Sequence, residues 1–152
     1  MVTLYYFDTS ALLKMYVTET GSSWVQTLLA ARPTIFISQL TLIEVACAFA
    51  RRHREGILNE EKYARLLISF DYDARYTYQV MDLLPITIDT AKQLAYKQPL
   101  RAYDAIQLAT AWLIQQELSQ TKDFNLTFLS ADQRLLTIAQ AEGLAVDNPN
   151  LY

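Results

Sequence analysis

Short apolar runs that alternate with longer helical patterns are the feature that most constrains how this 152-residue chain can fold. The short runs are rich in β-branched and aromatic residues, and we predict strands at Thr3–Phe7, Thr34–Ser38, Leu84–Ile88, Leu126–Leu129 and Leu144–Val146. Helical periodicity marks the segments Ser10–Tyr16, Ser22–Ala31, Leu40–Arg54, Glu60–Val80, Thr90–Lys97, Ala102–Leu118 and Gln133–Glu142. Short apolar strands separated by helices indicate an α/β fold with a mostly parallel sheet covered on both faces.

Length and composition are typical of a folded domain, because 52% of the residues are hydrophobic and 19% are charged. We therefore expect a single domain over residues 1–152. No apolar run is long enough to span a membrane and no basic leader precedes the first strand, so we expect a cytoplasmic protein with no membrane association. Cys47 and His53 are the only residues of their types, which excludes an internal disulfide and a site built on several Cys or His ligands.

Four acidic residues occupy similar positions relative to the predicted strands. Asp8 and Asp132 directly follow the first and fourth strands, and Glu44 lies in the helix after the second. Asp104 lies in the opening turns of the helix that begins beyond Pro99. In a parallel sheet with right-handed crossovers, strand-to-helix junctions emerge at the carboxyl edge. We therefore expect these four side chains to meet in one crevice.

Each acid also has a purely structural explanation. Asp8 and Asp132 are suitable N-caps, and Thr41 with Glu44 matches a capping box. Asp104 would complement the positive end of a helix dipole, although its neighbours are apolar and a buried carboxylate without a cation is costly. Helix capping accounts for each acid separately but not for their convergence.

Converging carboxylates need a counter-charge, and no Lys or Arg is patterned beside each one. Mg²⁺ or Mn²⁺ would supply it, because these hard cations prefer oxygen ligands. The hydroxyl groups of Thr9, Ser10 and Ser130 would then orient a carboxylate or other ligand of the metal. The net charge of -3 argues against a protein that binds nucleic acid only through a basic surface.

The motifs around these acids resemble the PIN-domain nucleases, and among them the VapC-type toxin ribonucleases of toxin–antitoxin systems. The matching stretches, in chain order, are FDTSALLK, LTLIEVACAFAR, LRAYDAIQLATA, FLSADQRLL and GLAVDNP. The resemblance implies a three-layer α/β/α sandwich with four or five central strands and Mg²⁺- or Mn²⁺-dependent cleavage of RNA. It also implies a homodimer and a cognate antitoxin partner.

The resemblance assigns roles by position. Asp8, Glu44, Asp104 and Asp132 become the catalytic, metal-binding acids, and Arg101 matches a basic residue often found before the third acid. Gln107 departs from the family pattern, since related toxins often carry His there; we expect altered local hydrogen bonding. We interpret Asp147 as a surface turn acid outside the site.

The expected reaction is hydrolysis of phosphodiester bonds in single-stranded RNA, whose backbone is accessible. Candidate basic contacts are Lys14, Arg51, Arg52, Arg54 and Arg101. Among these we assign Arg51 and Arg52 to phosphate or a partner, and Arg54 to the favourable end of a helix dipole. We expect Cys47 to be a small apolar residue on a packed helix.

Three other interpretations remain. A haloacid-dehalogenase-like phosphatase would use Asp8 as a nucleophile, but it would need a second acid at position 10, where this chain has Ser10. A stand-alone nuclease would lack an antitoxin. A catalytically silent module would only bind RNA or protein. Metal-dependent RNA cleavage separates these interpretations.

Overall fold

The computed structural model describes residues 1–152 and contains five strands and seven α-helices. The strands are β1 (Val2–Phe7), β2 (Ile35–Ser38), β3 (Gln79–Met81), β4 (Phe124–Leu129) and β5 (Ala145–Asp147). The helices are α1 (Thr9–Tyr16), α2 (Ser22–Ala30), α3 (Gln39–Arg54), α4 (Glu60–Tyr76), α5 (Pro85–Lys97), α6 (Ala102–Leu118) and α7 (Gln133–Ala141). A short 3-10 helix (Pro149–Leu151) precedes the last residue.

All five strands are parallel, in the order β3-β2-β1-β4-β5. β1 lies at the centre, with Phe7 paired with Leu129 of β4 and Tyr6 paired with Phe36 of β2. The chain runs outward from β1 to β3 on one side and from β4 to β5 on the other. The strand order therefore reverses between β1 and β4, and in sheets of this kind ligands bind outside the carboxyl ends of the strands at such a point.

Helices cover both faces of the sheet, as expected for alternating strands and helices. On one face Phe7 and Leu129 pack with buried side chains of α1–α4, such as Leu12 and Phe49. On the other face Tyr6, Phe128 and their neighbours pack against α5, α6 and α7. The predicted fold class, a three-layer α/β/α sandwich around a parallel sheet, is confirmed. No helix combines the length and the apolar character needed to cross a membrane.

The predicted strand at Leu84–Ile88 is wrong, because Leu84 is the N-cap and Pro85 the first residue of α5. Proline is favoured at this position, where its missing N–H costs no helical hydrogen bond. Buried Thr87, Ala91 and Leu94 follow the spacing of one helical face.

The third strand lies earlier, at Gln79–Met81, where the helical pattern Glu60–Val80 was predicted to continue. α4 ends instead at Tyr76, and Gln79–Met81 pairs with Phe36–Ser38 of β2. This pairing with a distant strand overrides the local helical pattern.

Candidate active site

Asp8 lies at the point where the strand order reverses, directly after β1 and as the N-cap of α1. Its Oδ1 atom accepts a hydrogen bond from the Ala11 backbone N–H at 2.9 Å and another from Ser10 Oγ at 2.7 Å. Its Oδ2 atom accepts one from Ser130 Oγ at 2.6 Å. The N-cap interpretation is therefore correct, but the cap uses only part of the hydrogen-bonding capacity of this carboxylate.

Asp8 is only 5% exposed, and the low-dielectric surroundings disfavour its charged form. Burial raises the pKa of Asp8 to about 6, against the opposing hydrogen bonds from Ser130, Ser10 and the Ala11 N–H, and the charge of Asp104 adds to the increase. No lysine or arginine forms an ion pair with this carboxylate. Asp8 is thus a buried carboxylate that is fixed by three hydrogen bonds and has no ion-pair partner.

Glu44 points toward the same region from α3. Its Oε1 atom accepts hydrogen bonds from Thr9 Oγ1 at 2.8 Å and from Gln107 Nε2 at 2.9 Å. The capping-box interpretation of Glu44 is wrong, because Ser38 is the N-cap of α3 and its Oγ accepts from the Leu40 N–H at 3.0 Å. Glu44 therefore lies in the second turn and is bound by side chains of α1 and α6.

Gln107 is the buried residue that connects α6 with Glu44. Its Oε1 atom accepts a hydrogen bond from the Tyr6 hydroxyl at 2.6 Å, and its Nε2 group also lies 3.0 Å from Thr41 Oγ1. The sequence departure at Gln107 was expected to change local hydrogen bonding, but its direct contact with Glu44 was missed. The signal available was its spacing of three residues from Asp104, which places both on one face of α6.

Asp104, in the first turn of α6, is the acid whose charge interacts with all three others. Burial raises its pKa, and the nearby charges of Asp132 and Glu44 raise it further, while Arg101 and Arg134 oppose the increase. Asp104 in turn contributes to the raised pKa of Asp8. The four acids therefore share one electrostatic environment, although they come from four different helices or helix starts.

Asp132 is the N-cap of α7, and its Oδ1 atom accepts hydrogen bonds from the Arg134 and Leu135 N–H groups at 2.9 and 3.4 Å. Its own N–H donates to Ser130 Oγ at 3.0 Å. Because Ser130 Oγ also donates to Asp8, this single hydroxyl joins the ends of β1 and β4. The three hydroxyl groups predicted near the acids, those of Thr9, Ser10 and Ser130, each donate to Asp8 or Glu44.

Two basic residues flank Asp104 without forming an ion pair with it. Arg101, which matched a basic residue often found before the third acid, is exposed at the N-cap of α6. Arg134, at the start of α7, was not predicted from the sequence, although its charge acts on Asp104. Asp147 ends β5 at the same edge of the sheet, but its Oδ2 atom accepts from the Tyr152 hydroxyl at 3.0 Å and its Oδ1 atom from the Asn148 N–H at 2.8 Å.

The four acids fit a divalent cation in their chemistry, since they offer only oxygen donors and none has an ion-pair partner. Burial and, to a lesser extent, the neighbouring acids raise the pKa of Asp8 and of Asp104, which disfavours their charged forms when no cation is bound. No three Asp, Glu, His or Cys side chains lie close enough together to hold an ion as they stand. Ion binding by these acids would require side-chain rotation; Asp132 is exposed and Asp104 half-buried, whereas Asp8 is buried.

Curated proteins similar to this chain are ribonucleases. The chain is 32% identical to ribonuclease VapC45 of Mycobacterium tuberculosis (strain CDC 1551 / Oshkosh) over 143 residues, 94% of each chain. The identity to ribonuclease VapC47 of the same strain is 29% over 151 residues, which cover 95% of this chain and 96% of that one.

Solved structures with the same fold include FitAcB from Neisseria gonorrhoeae, with a TM-score of 0.66, 17% identity, and coverage of 95% of this chain and 97% of that chain. A toxin-antitoxin complex from Klebsiella pneumoniae contains a chain with a TM-score of 0.63, 21% identity, and coverage of 95% and 97%. At these identities the structures establish the fold alone. The sequence model of the PIN domain family matches residues 5–141 of this chain, which include all four acids. The chain belongs to the PIN domain family, as its sequence motifs indicated.

Proposed function

We propose that this chain is an Mg²⁺- or Mn²⁺-dependent endoribonuclease that hydrolyses phosphodiester bonds of single-stranded RNA. The observation that carries the proposal is the shared electrostatic environment of Asp8, Glu44, Asp104 and Asp132 at the carboxyl edge of the sheet, with no ion pair to any of them. The similarity to VapC ribonucleases supports RNA as the substrate.

In this proposal the four acids hold the metal, which when bound polarises the scissile phosphate and offsets the charge that develops during hydrolysis. The protein itself keeps the acids in place. Ser10 and Ser130 hold both oxygens of Asp8, and Thr9 and Gln107 hold Glu44. Asp132 is exposed and Asp104 is half-buried, and in this proposal both face incoming substrate. The imidazole of His53, the only histidine, is paired with Glu60 at 2.9 Å, so no histidine is assigned to proton transfer.

We further propose that the chain is the toxin of a VapBC-type pair, acts in the cytoplasm, and forms a homodimer. The similarity to VapC ribonucleases and the fold shared with a chain of a toxin-antitoxin complex support a cognate antitoxin. Exposed Ile68, Tyr72 and Tyr76 on the outer face of α4 offer apolar area for such contacts. Co-expression with the product of an adjacent small reading frame, followed by purification and light scattering, tests both assemblies.

The experiment that tests the enzymatic proposal measures cleavage of labelled single-stranded RNA with Mg²⁺, with Mn²⁺ and with EDTA. We expect cleavage with either ion and none with EDTA, and no cleavage by Asp8→Asn or Asp104→Asn. Hydrolysis of small phosphate esters without RNA cleavage would instead support a phosphatase. Cleavage that persists in EDTA, or at full rate in both variants, would contradict the proposal.

A further inference from the structure

A cavity of about 570 Å³ extends from the candidate active site along one face of α3. Thr9, Ser10 and Glu44 line the end nearest the acids, and Arg51 and Arg54 line it further along α3. The remaining lining residues are Leu13, Leu40, Ile43, Cys47, Ala48 and Tyr103. Glu44 and Arg54 are ten residues apart, or about 15 Å along the helix axis. The cavity therefore leads from the acids to the basic end of α3.

The basic residues at the end of α3 divide into two kinds. Arg52 pairs with Glu19 at 3.9 Å and His53 pairs with Glu60 at 2.9 Å, and neither lines the cavity. Arg51 and Arg54 line the cavity, and neither forms an ion pair. A favourable interaction with the helix dipole applies to all four residues, so it does not explain why the two cations in the cavity are the ones without a partner.

This pattern corrects the assignment of basic contacts made from the sequence. Arg54 lies in the last turn of α3, as expected, and also lines the cavity, whereas Arg52, which was assigned to phosphate or a partner, pairs with Glu19. Lys14 is buried and its Nζ donates to the Thr20 carbonyl oxygen at 2.6 Å, so its charge is not free for a ligand. Arg51 is exposed, lines the cavity and keeps the role first suggested for it.

Tyr103 adds an aromatic surface to the same cavity. It is 61% exposed although it precedes Asp104 directly, so its ring is held near the acids without being part of the core. An exposed aromatic ring beside unpaired cations is the combination that single-stranded nucleic acids use, with bases on the ring and phosphates on the cations. A volume of this size has room for about one or two nucleotides.

We infer that this cavity binds the RNA strand next to the cleaved bond, with Arg51 and Arg54 on backbone phosphates and Tyr103 against a base. The inference rests on the proposed ribonuclease function and adds a substrate-positioning site to it. Free guanidinium groups also offset the repulsion that the four acids exert on an incoming phosphate. An acidic segment of a partner protein would find the same cations, but the cavity is continuous with the proposed cleavage site, which favours the substrate.

The first test measures how RNA affinity depends on salt. Fluorescein-labelled oligouridylate and oligoadenylate of about 12 nucleotides are titrated in EDTA with the Asp8→Asn protein. The substitution blocks the proposed cleavage and removes one repelling charge. We expect Arg51→Gln and Arg54→Gln each to weaken binding and to reduce the slope of log K against log salt by about 0.7. Arg65→Gln is the matched control, because Arg65 is exposed on α4 and pairs with Glu61, and it should leave the slope unchanged.

Substitution of Tyr103 should affect RNA binding differently from substitution of the arginines, because stacking of a base on the ring releases no counterions. Tyr103→Leu should weaken binding by about tenfold without changing the salt slope. Tyr96→Leu, which removes another exposed tyrosine on α5, should have no effect. A loss of affinity for both RNAs is expected, since every base has a face on which an aromatic ring can stack.

The reactivity of Cys47 provides a second test of RNA binding, made in the protein that keeps both arginines. It is exposed rather than packed, contrary to the sequence expectation, and as the only cysteine it gives a single site for labelling. Because Cys47 lines the cavity, bound RNA should slow its reaction with N-ethylmaleimide. The protection should disappear in the Arg51→Gln/Arg54→Gln double variant at the same RNA concentration.

The outcomes separate this inference from the proposed function. RNA binding that depends on Arg51 and Arg54, together with a wild-type protein that cleaves no RNA in Mg²⁺ or Mn²⁺, would support the inference and contradict the proposed function. RNA cleavage with unchanged salt slopes and no protection of Cys47 would overturn the inference and leave the function standing. Absence of RNA binding, or a double variant that loses only its dimer or its antitoxin, would also overturn it.

Discussion

The amide group of Gln107 donates to the Glu44 carboxylate at 2.9 Å while its carbonyl oxygen accepts from the Tyr6 hydroxyl at 2.6 Å. Gln107 and Tyr6 are both buried, so the amide cannot turn over without losing both bonds. The arrangement fixes Glu44 from the core side and leaves its second oxygen free of hydrogen bonds to the protein. Gln107 is therefore a positioning residue for one of the proposed metal-binding acids.

Replacement of Gln107 tests this role. Gln107→Leu should lower the rate of RNA cleavage by about 10- to 100-fold, because Glu44 loses the group that orients it. It should also lower the free energy of unfolding by about 1–3 kcal/mol, since the Tyr6 hydroxyl loses its acceptor. Thr41→Val is the matched control, because it removes another contact of Gln107 but keeps its bond to Glu44. Equal losses of activity in the two variants would refute a specific effect on Glu44.

The raised pKa of Asp8 predicts how stability depends on pH without metal. The usual value is 3.8 and the value in the folded protein is about 6, so the folded state binds the proton more tightly than the unfolded state. The contribution of Asp8 to the free energy of unfolding is fully present below pH 3.8. It is lost as the pH rises through about 6, and the total loss is about 3 kcal/mol. In EDTA, Asp8→Asn should exceed the wild type in free energy of unfolding at pH 7.5 but not at pH 3.8.

Urea denaturation of both proteins at the two pH values provides the measurement. Asp89→Asn serves as the control, because Asp89 is exposed on α5 and the substitution removes the same charge. Its difference from the wild type should not vary with pH in the way expected for Asp8→Asn. If the stability curves of Asp8→Asn and the wild type are parallel, burial of Asp8 does not cost the folded state free energy.

The placement of Asp8 and Asp132 at one edge of the sheet could be predicted from the sequence because it depends only on parallel strands and on the residues at their carboxyl ends. Asp8 and Asp132 lie just beyond β1 and β4, and an error of one or two residues in a predicted strand limit would not move them away from the strand end. The prediction of a strand at Leu84–Ile88 was wrong because an apolar run next to proline is equally typical of a strand and of a helix start. The contacts of Gln107 with Tyr6 and Glu44 could not be predicted, since they depend on the packing of α6 against β1 and α3.

Metal binding should stabilise the protein through Asp104. We expect saturating Mg²⁺ to raise the melting temperature of the wild type, because a ligand that binds only the folded state adds to its stability. Asp104→Asn should lose most of this increase, since Asp104 interacts with all three other acids. Asp147→Asn should keep it, although Asp147 ends a strand at the same edge of the sheet, because Asp147 is bound to Tyr152 and Asn148. A loss of the increase in Asp147→Asn would place this fifth acid in the site.

Ser130 should influence both the rate and the pH dependence of cleavage. Its hydroxyl donates to Asp8 Oδ2 at 2.6 Å, which favours the charged carboxylate and opposes the effect of burial on the pKa of Asp8. Ser130→Ala should therefore raise the pKa of Asp8, move the acidic limb of the pH–rate profile to higher pH, and lower the rate by about tenfold at neutral pH. Ser69→Ala, at an exposed position of α4 with no hydrogen bond to any of the four acids, should change neither. A lower rate with an unmoved acidic limb would mean that Ser130 acts on the end of β4 rather than on the charge of Asp8.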